Sequence, residues 1–314
     1  MKEGALIRFL LIALPAGLLA LGVGAMFVSH ERAKTIPTDP NEAIRLETAS
    51  LKRRPVARED LSRSLDMLSH RIGERNPDKP ASLESAALWF ESTVGPANLG
   101  YLVERHVFEL GGREVRNLIV ELPGRDRRKE IIVVGAHYDT ISGDAGGKDN
   151  ASGVAALVAL ARAFAGDPQG RTIRFAAFVN GVPSPTDTSG SLLYANRCRA
   201  RGEAIVAMLA LDSLGSLPDG GTLSFWGAED SYYFVDSAQA AFAKATSLPT
   251  STPGATGSDS PLLSATLDQR AFSQAGYPAV AAYVSPPPSQ ADDPDILTTI
   301  TIGLESVLRF WANP

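Results

Sequence analysis

The chain has 314 residues, of which 44% are hydrophobic and 21% are charged, a composition typical of a globular protein. Its net charge of -5 and its sequence pI near 5.5 argue against nucleic acid as a partner, and no run of Lys and Arg exceeds three residues. The single cysteine, Cys198, excludes an intramolecular disulfide and a thiolate-rich metal site.

The N-terminal region predicts attachment to a membrane. Residues 9–28 carry no charge and are long enough to cross a bilayer as a helix. A cleaved signal peptide has a shorter apolar region of roughly 7 to 15 residues, and no cysteine follows to accept a lipid. We therefore expect a single-pass anchor (1–34), a proline-containing linker (35–58) and an extracytoplasmic domain (59–314). The alternative is a cleaved signal peptide and a secreted or periplasmic protein.

Beyond the linker, helical and strand-like patterns alternate along the chain. An apolar stripe of Leu61, Leu65, Leu68 and Ile72 predicts the first helix. Further helices are predicted at 82–94, 153–165, 192–199, 231–245 and 296–312. Strands are predicted at 101–110, 115–122, 131–136, 172–179, 205–211, 222–226 and 278–284, the first two forming a hairpin. This alternation predicts a single α/β domain with a mixed, largely parallel sheet and helices on both faces.

One strand ends in polar residues of the kind that bind metal ions. The sequence His137-Tyr-Asp139 follows an apolar β-branched run, and Asp149 begins a second polar segment that ends at Gly153. Ligands of open α/β sheets bind outside the carboxyl ends of the strands, and imidazole with carboxylates is a typical zinc donor set. The alternative is a core histidine bonded to Asp139, with Asp149 in a turn. Ser152 is predicted to cap the helix that follows.

Six short segments occur in a recognisable order. They are 137–139 (His-Tyr-Asp), 149–153 (Asp-Asn-Ala-Ser-Gly), 178–180 (Phe-Val-Asn), 190–191 (Gly-Ser), 211–215 (Leu-Asp-Ser-Leu-Gly) and 275–279 (Ala-Gly-Tyr-Pro-Ala). Together they resemble the co-catalytic zinc aminopeptidase family, which includes aminopeptidase Y, bacterial leucyl aminopeptidase and glutamate carboxypeptidase. The resemblance extends over roughly residues 60–312 and implies a zinc aminopeptidase-like fold preceded by the N-terminal transmembrane helix.

The resemblance implies a site with two metal ions bridged by one carboxylate. Carried over residue by residue, it implies that His137, Asp149 and Asp212 are the ligands of one zinc, with Asp149 as the bridge. It also implies that Asp139 orients the imidazole of His137, as carboxylates commonly do beside metal-bound histidines. These residues form a complete set for one metal ion.

The residues for the second metal ion are absent. The resemblance places a ligand glutamate and the general-base glutamate directly after the Phe-Val-Asn segment, where this chain has Gly181 and Val182. It places the second histidine at Gln269, and His137 is the last histidine in the chain. Apolar and amide groups cannot accept a proton from water at neutral pH, and general-base catalysis typically contributes about 10²–10⁴-fold. We therefore expect at most one zinc per chain.

Three functions are compatible with this pattern. The first is a membrane-anchored, catalytically impaired domain that holds at most one zinc and binds a peptide, a cell-wall fragment or a protein partner in the cleft. The second is an active metallo-exopeptidase of the aminopeptidase type that uses one zinc or a substitute carboxylate, such as Asp187 or Glu229. The third is a structural partner in a membrane complex, for which the cleft is irrelevant.

Overall fold

Eight strands form one mixed sheet in the computed structural model, which describes residues 51–110, 112–144, 146, 150–180, 189–252, 267–286 and 292–314. The strands are β1 (Glu104–Leu110), β2 (Arg113–Leu122), β3 (Arg127–His137), β4 (Arg171–Phe178), β5 (Ala204–Asp212), β6 (Thr222–Gly227), β7 (Thr250–Ser251) and β8 (Ala279–Ser285). Their order across the sheet is β1-β2-β4-β3-β5-β8-β6-β7. The four central strands, β4, β3, β5 and β8, are parallel, whereas β1, β2 and β6 are paired antiparallel to their inner neighbours.

Helices cover both faces of this sheet. They are α1 (Arg58–Leu65), continued by a π-helical segment (Asp66–Ile72), α2 (Pro80–Val94), α3 (Ala151–Phe164), α4 (Gly190–Ala200), α5 (Tyr232–Ala245), α6 (Leu267–Gln274) and α7 (Pro294–Ala312). Ile132 and Val134 of β3 belong to the core that includes α1, α2, α3, α5 and α7. Ile131 and Val133 belong to the core on the other face, beneath α4 and α6. Successive side chains of a strand point to opposite faces, so an unbroken apolar run is what such a doubly covered strand requires.

The predicted α/β sheet with helices on both faces is therefore confirmed, and each predicted helix and strand forms at or near its expected position. Two short elements were not predicted. Helix α6 buries polar residues, among them Asp268 and Gln269, so its sequence lacks a clear apolar stripe. Strand β7 has only two residues. The sequence pattern therefore failed where a helix packs polar side chains against the sheet.

The residues directly before α1 are hydrogen-bonded to the rest of the domain, and the bounds of the anchor, linker and domain stay predictions. The Lys52 N–H donates to the carbonyl of Leu99 at 3.0 Å, and the Arg54 N–H donates to the carbonyl of Arg162 at 3.2 Å. Helix α1 begins at Arg58, and Thr48–Pro314 forms one compact unit. The predicted anchor, 9–28, lies outside the described residues. Among the residues that the structure does describe, no helix has the length and apolarity needed to cross a bilayer.

Candidate functional site

The candidate site lies at the carboxyl ends of the central parallel strands. His137 ends β3 and Asp212 ends β5, and the two strands are adjacent and parallel. The Nε2 atom of His137 lies 3.3 Å from Oδ2 of Asp212. Both side chains are buried, with exposed fractions of 2% and 5%. The structure thus brings together two residues that are 75 positions apart in the sequence and that the sequence motifs assign to one metal site.

The neighbours of the His137 ring indicate which of its two nitrogen atoms carries the proton. The Nδ1 atom of His137 lies 3.0 Å from the carbonyl oxygen of Asp139 and 3.6 Å from its carboxylate oxygen Oδ1. Both neighbours are acceptors, so we assign the proton of a neutral ring to Nδ1. The Nε2 lone pair then faces a carboxylate oxygen, a contact that is favourable only with a proton or a cation between the two atoms.

A zinc ion fits this pair of side chains. Zinc binds histidine nitrogen and carboxylate oxygen at about 2.0–2.2 Å, and tetrahedral coordination places two such ligand atoms ~3.3 Å apart. The separation between Nε2 of His137 and Oδ2 of Asp212 matches that value. The other oxygen of Asp212 accepts a hydrogen bond from the Ser213 hydroxyl at 2.6 Å. His137 and Asp212 could therefore hold one metal ion, and Asp139 orients the imidazole of His137.

Asn180 organises the side of the site that faces α4 and α6. Its backbone N–H donates to Oδ1 of Asp139 at 3.0 Å, and its side-chain amide donates to Oδ1 of Asp268 at 2.7 Å. Its side-chain oxygen accepts hydrogen bonds from the backbone N–H and hydroxyl of Ser191, at 3.2 and 3.0 Å. All four residues are buried. Asn180 thus links two carboxylates, Asp139 through its backbone N–H and Asp268 through its side chain.

Asp268 also lies at the site, although the sequence motifs do not assign it a role. Burial raises the pKa of Asp268 and the charge of Asp212 adds to the effect, whereas His137, Asn180 and Ser191 lower it. The net direction is upward, so this carboxyl keeps its proton to a higher pH than an exposed aspartate. The sequence signal was the position of Asp268 in the same short segment as Gln269. Its proximity to His137 arises only from the packing of α6 on the sheet.

Gln269 has a different environment. Its side-chain amide donates to the carbonyl of Ala279 at 3.2 Å, and Oε1 has no hydrogen-bond partner among the described residues. Together with Trp226 and Arg270 it lines a cavity of about 350 Å³. The side chain at the predicted position of the second histidine is thus bonded to the first residue of β8.

Asn150 and Gly153 join the start of α3 to the end of β5. The side-chain oxygen of Asn150 accepts from the Gly153 N–H at 3.0 Å, and its amide donates to the carbonyl of Leu211 at 2.8 Å. A Cβ atom on Gly153 would lie 2.5 Å from that same carbonyl oxygen, so only glycine fits. The predicted cap, Ser152, was wrong: its hydroxyl accepts from the N–H of Leu214, and Asn150 is the helix cap.

Tyr283 adds a hydroxyl group to the same edge of the sheet. It pairs in register with Asp212 on the neighbouring parallel strand, and it is 5% exposed. Its hydroxyl has no hydrogen-bond partner among the residues that the structure describes. Burial raises the pKa of Tyr283 to about 12, so the hydroxyl remains a donor at neutral pH.

Asp292 packs against the loop that follows β5. A Cβ atom on Gly215 would overlap the carboxyl group of Asp292, and the N–H of Asp293 donates to the carbonyl of Gly215 at 2.5 Å. Burial, with a smaller contribution from the charge of Asp144, raises the pKa of Asp292 to about 7. A carboxyl group that titrates near neutral pH is thus held beside the segment that carries Asp212.

This pKa predicts the direction of a pH effect on stability. The folded protein binds more protons than the unfolded chain between pH ~4 and ~7, because an unfolded aspartate titrates near 3.9. The stability contributed by protonated Asp292 is therefore complete below pH ~4 and is lost as the pH rises through about 7. Urea unfolding from pH 4 to 8 should show a smaller decline for Asp292→Asn than for wild type. Asp219→Asn, at an exposed site, is the control. Parallel profiles for wild type and Asp292→Asn would refute the raised pKa.

Several predicted site residues lie outside the described part of the chain, namely Asp149, Gly181, Val182 and Asp187. Their assignments remain predictions. Among the described residues, no group of three or more His, Cys, Asp and Glu side chains could hold a metal ion. Glu229 is described and was wrongly considered as a substitute carboxylate. Since β6 is antiparallel to β8, the carboxyl end of β6 and the following Glu229 lie at the edge of the sheet opposite the site.

The family model described as peptidase family M28 matches residues 117–296, more than half of the chain. The chain therefore belongs to peptidase family M28, which confirms the resemblance to the co-catalytic zinc aminopeptidases.

Solved structures share this fold at low sequence identity. BSAP, a zinc aminopeptidase from Bacillus subtilis, is 14% identical with a TM-score of 0.63, over 82% of this chain and 96% of that one. A glutaminyl cyclase from an Acidobacteriales bacterium is 17% identical with a TM-score of 0.65, over 83% and 96%. An aminopeptidase from Aneurinibacillus sp. strain AM-1 is 23% identical with a TM-score of 0.49, over 64% of this chain and 49% of that one. The chain thus spans about half the length of that last protein.

Proposed function

We propose that this protein is a membrane-anchored, extracytoplasmic M28-fold domain that has lost two-zinc peptidase activity and binds a peptide or protein ligand. The observation that carries the proposal is the composition of the site. One imidazole, His137, faces one carboxylate, Asp212, and the residue at the predicted second-histidine position is an amide bonded to Ala279. Among the described residues, the site therefore offers His137 and Asp212 as ligands for one zinc and no private ligand for a second.

The described residues also provide a poor general base. Asp268 is buried and accepts a hydrogen bond from the side-chain amide of Asn180 at 2.7 Å. Asp139 is 0% exposed and accepts the backbone N–H of Asn180. A base must contact the proton that it removes, and both of these carboxylates are engaged within the protein. Together with Gly181 and Val182 in place of two glutamates, this supports impaired hydrolysis.

The same groups suit recognition of a peptide. Buried carboxylates at one edge of the sheet create a negative potential that attracts an ammonium group, such as a peptide amino terminus. The Tyr283 hydroxyl is a donor for a carbonyl oxygen. A zinc ion held by His137 and Asp212 would supply a Lewis acid that binds a ligand oxygen. The site thus offers groups complementary to the amino terminus of a peptide and to a peptide carbonyl oxygen.

Zinc stoichiometry tests this proposal. The full-length protein, saturated with zinc and dialysed, should retain at most one zinc per chain in elemental analysis. His137→Ala should abolish retention, because the chain has no other histidine beyond residue 137. His70→Ala is the matched control, since that imidazole is exposed and pairs with Asp66. Two tightly held zinc ions in wild type, or retention by His137→Ala, would contradict the proposal.

An active metallo-exopeptidase using one zinc is the second candidate, and one observation favours it. Asp292 has a pKa of about 7 and packs on Gly215, three residues after Asp212. A carboxylate that titrates near the working pH is well suited to general-base catalysis. Zinc-dependent peptide hydrolysis that is lost in Asp292→Asn or in Asp187→Asn would support this candidate and identify the substitute base.

A further inference from the structure

A second, larger cavity lies outside the candidate site. It has a volume of about 610 Å³ and is bounded by residues 52–54, α1, α2 and the last turn of α3. Its polar wall contains four basic side chains and one carboxylate, which are Lys52, Arg54, Arg63, Arg162 and Asp60. We refer to it as the basic cavity.

The basic cavity is separate from the metal-binding edge. Helix α3 begins at Ala151, directly after the site residue Asn150, and Arg162 lies in its last turn. At a rise of 1.5 Å per helical residue, the eleven steps from Ala151 to Arg162 correspond to a distance of about 17 Å. A ligand in the basic cavity would therefore not contact His137 or Asp212.

Positive charge in this cavity is only partly neutralised. Asp60 forms ion pairs with Arg63 and Arg162, and its carboxylate lies 3.6 Å from a guanidinium nitrogen of Arg54. One carboxylate is thus shared among three guanidinium groups. Within the described residues, Lys52 has no acidic partner. The cavity therefore carries a surplus of about three positive charges at neutral pH.

The surplus positive charge of the basic cavity acts on a buried side chain, that of Arg162. The residue is 8% exposed, and its Nε–H has no hydrogen-bond partner among the described residues. Burial lowers the pKa of Arg162, and the charges of Arg54 and Arg63 lower it further, against the opposing effect of Asp60. A buried donor without an acceptor is costly, and a bound anion would satisfy both the donor and the charge.

We propose that the basic cavity binds a phosphate group, carried by a soluble phosphorylated molecule or by a lipid headgroup. Guanidinium groups bind phosphate oxygens through paired N–H donors, and several of them converge here on one volume. A phosphate of charge near -2 matches the surplus better than a single carboxylate does. Trp89 supplies an apolar wall for the remainder of the ligand. This proposal does not depend on the function proposed for the cleft.

Pyrophosphate titration of the full-length protein tests the proposal by calorimetry. Wild type should bind pyrophosphate, and binding should weaken as salt is added. The double variant Arg54→Glu/Arg63→Glu should bind at least about 10-fold more weakly, because it reverses two charges on the cavity wall. Both side chains are more than half exposed, so the fold should persist, as a thermal melt would verify. Arg201→Glu is the control: it is 55% exposed and lies after α4, on the opposite face of the sheet.

The outcomes separate the two sources of phosphate and leave the proposal open to refutation. Tight binding of pyrophosphate supports a soluble ligand. Weak pyrophosphate binding, with a preference for phosphatidic acid over phosphatidylcholine vesicles that the double variant loses, supports a lipid headgroup. Succinate bound as tightly as pyrophosphate would refute phosphate selectivity. Equal binding by wild type and the double variant, or no binding of either probe, would refute the site.

Discussion

Replacing Asp60 with alanine is expected to lower the free energy of unfolding by about 3–5 kcal/mol, because it leaves a buried guanidinium without its counter-charge. Asp60 and Arg162 are both 8% exposed, and they form a direct ion pair between α1 and the last turn of α3. Arg54 and Arg63 would then face Arg162 with no carboxylate between them. Urea unfolding at neutral pH and moderate salt measures the effect.

Two variants show whether the loss comes from the buried charge. Glu59→Ala removes the adjacent, exposed carboxylate of the same helical turn and should cost less than about 1 kcal/mol. Adding Arg162→Met to Asp60→Ala should restore much of the lost stability, because the stranded charge is removed while an unbranched side chain fills its place. A cost for Asp60→Ala no larger than that for Glu59→Ala would show that the pair is not buried in solution.

Phe272→Ala is the second substitution with a large expected effect, again about 3–5 kcal/mol. Phe272 lies on α6 and is 0% exposed. Its ring centroid lies 6.0 Å from that of Phe178 and 6.3 Å from those of Tyr194 and Tyr277. Truncation would leave a cavity between α6, α4 and the sheet, in a core whose remaining side chains cannot fill it without moving.

The position of α6 gives this substitution a second consequence. The same helix carries Asp268, which reaches Asn180 at the site, so a loosened helix should disturb the site as well as the core. Phe310→Ala on α7 is the control, because that ring is 49% exposed and its loss should cost under about 1 kcal/mol. Equal unfolding free energies for the two variants would show that α6 contributes little to the core.

The sequence predicted the sheet because its central strands are apolar on both faces. The run Ile131 to Val134 has no alternation with polar residues, which is what a strand covered by helices on both faces requires, and it forms the middle of β3. Helix α6 could not be predicted in this way. Its buried Asp268 and Gln269 are held by hydrogen bonds to Asn180 and Ala279, and such partners are distant in the sequence.

Part of the site could also be predicted. His137 and Asp212 were identified from motifs at the ends of two strands, and parallel pairing brings them within 3.3 Å. The role of Asn180 as a bridge between Asp139 and Asp268 could not be inferred, since it depends on how α6 packs. The position of Glu229 could not be inferred for a related reason. The sequence of a strand does not reveal whether it runs parallel or antiparallel to its neighbour, and the antiparallel direction of β6 places Glu229 at the opposite edge.

Membership of peptidase family M28 leaves the activity to be decided by the site. Chains that share this fold include proteins described as zinc aminopeptidases and as glutaminyl cyclases. A fold therefore limits the possible chemistry without specifying it, and the residues at the carboxyl edge carry the argument. In the part of the chain that the structure describes, that edge provides one oriented imidazole, one facing carboxylate and two carboxylates that are bonded within the protein.

The most direct test of the central claim is the rate at which zinc-saturated, full-length protein hydrolyses aminoacyl and dipeptide substrates, compared with His137→Ala. We expect equal rates, because the water lacks a general base at Gly181 and Val182 and lacks the charge of a second metal ion. A wild-type rate that requires zinc and is about 10²-fold or more higher than that of His137→Ala would contradict the loss of peptidase activity.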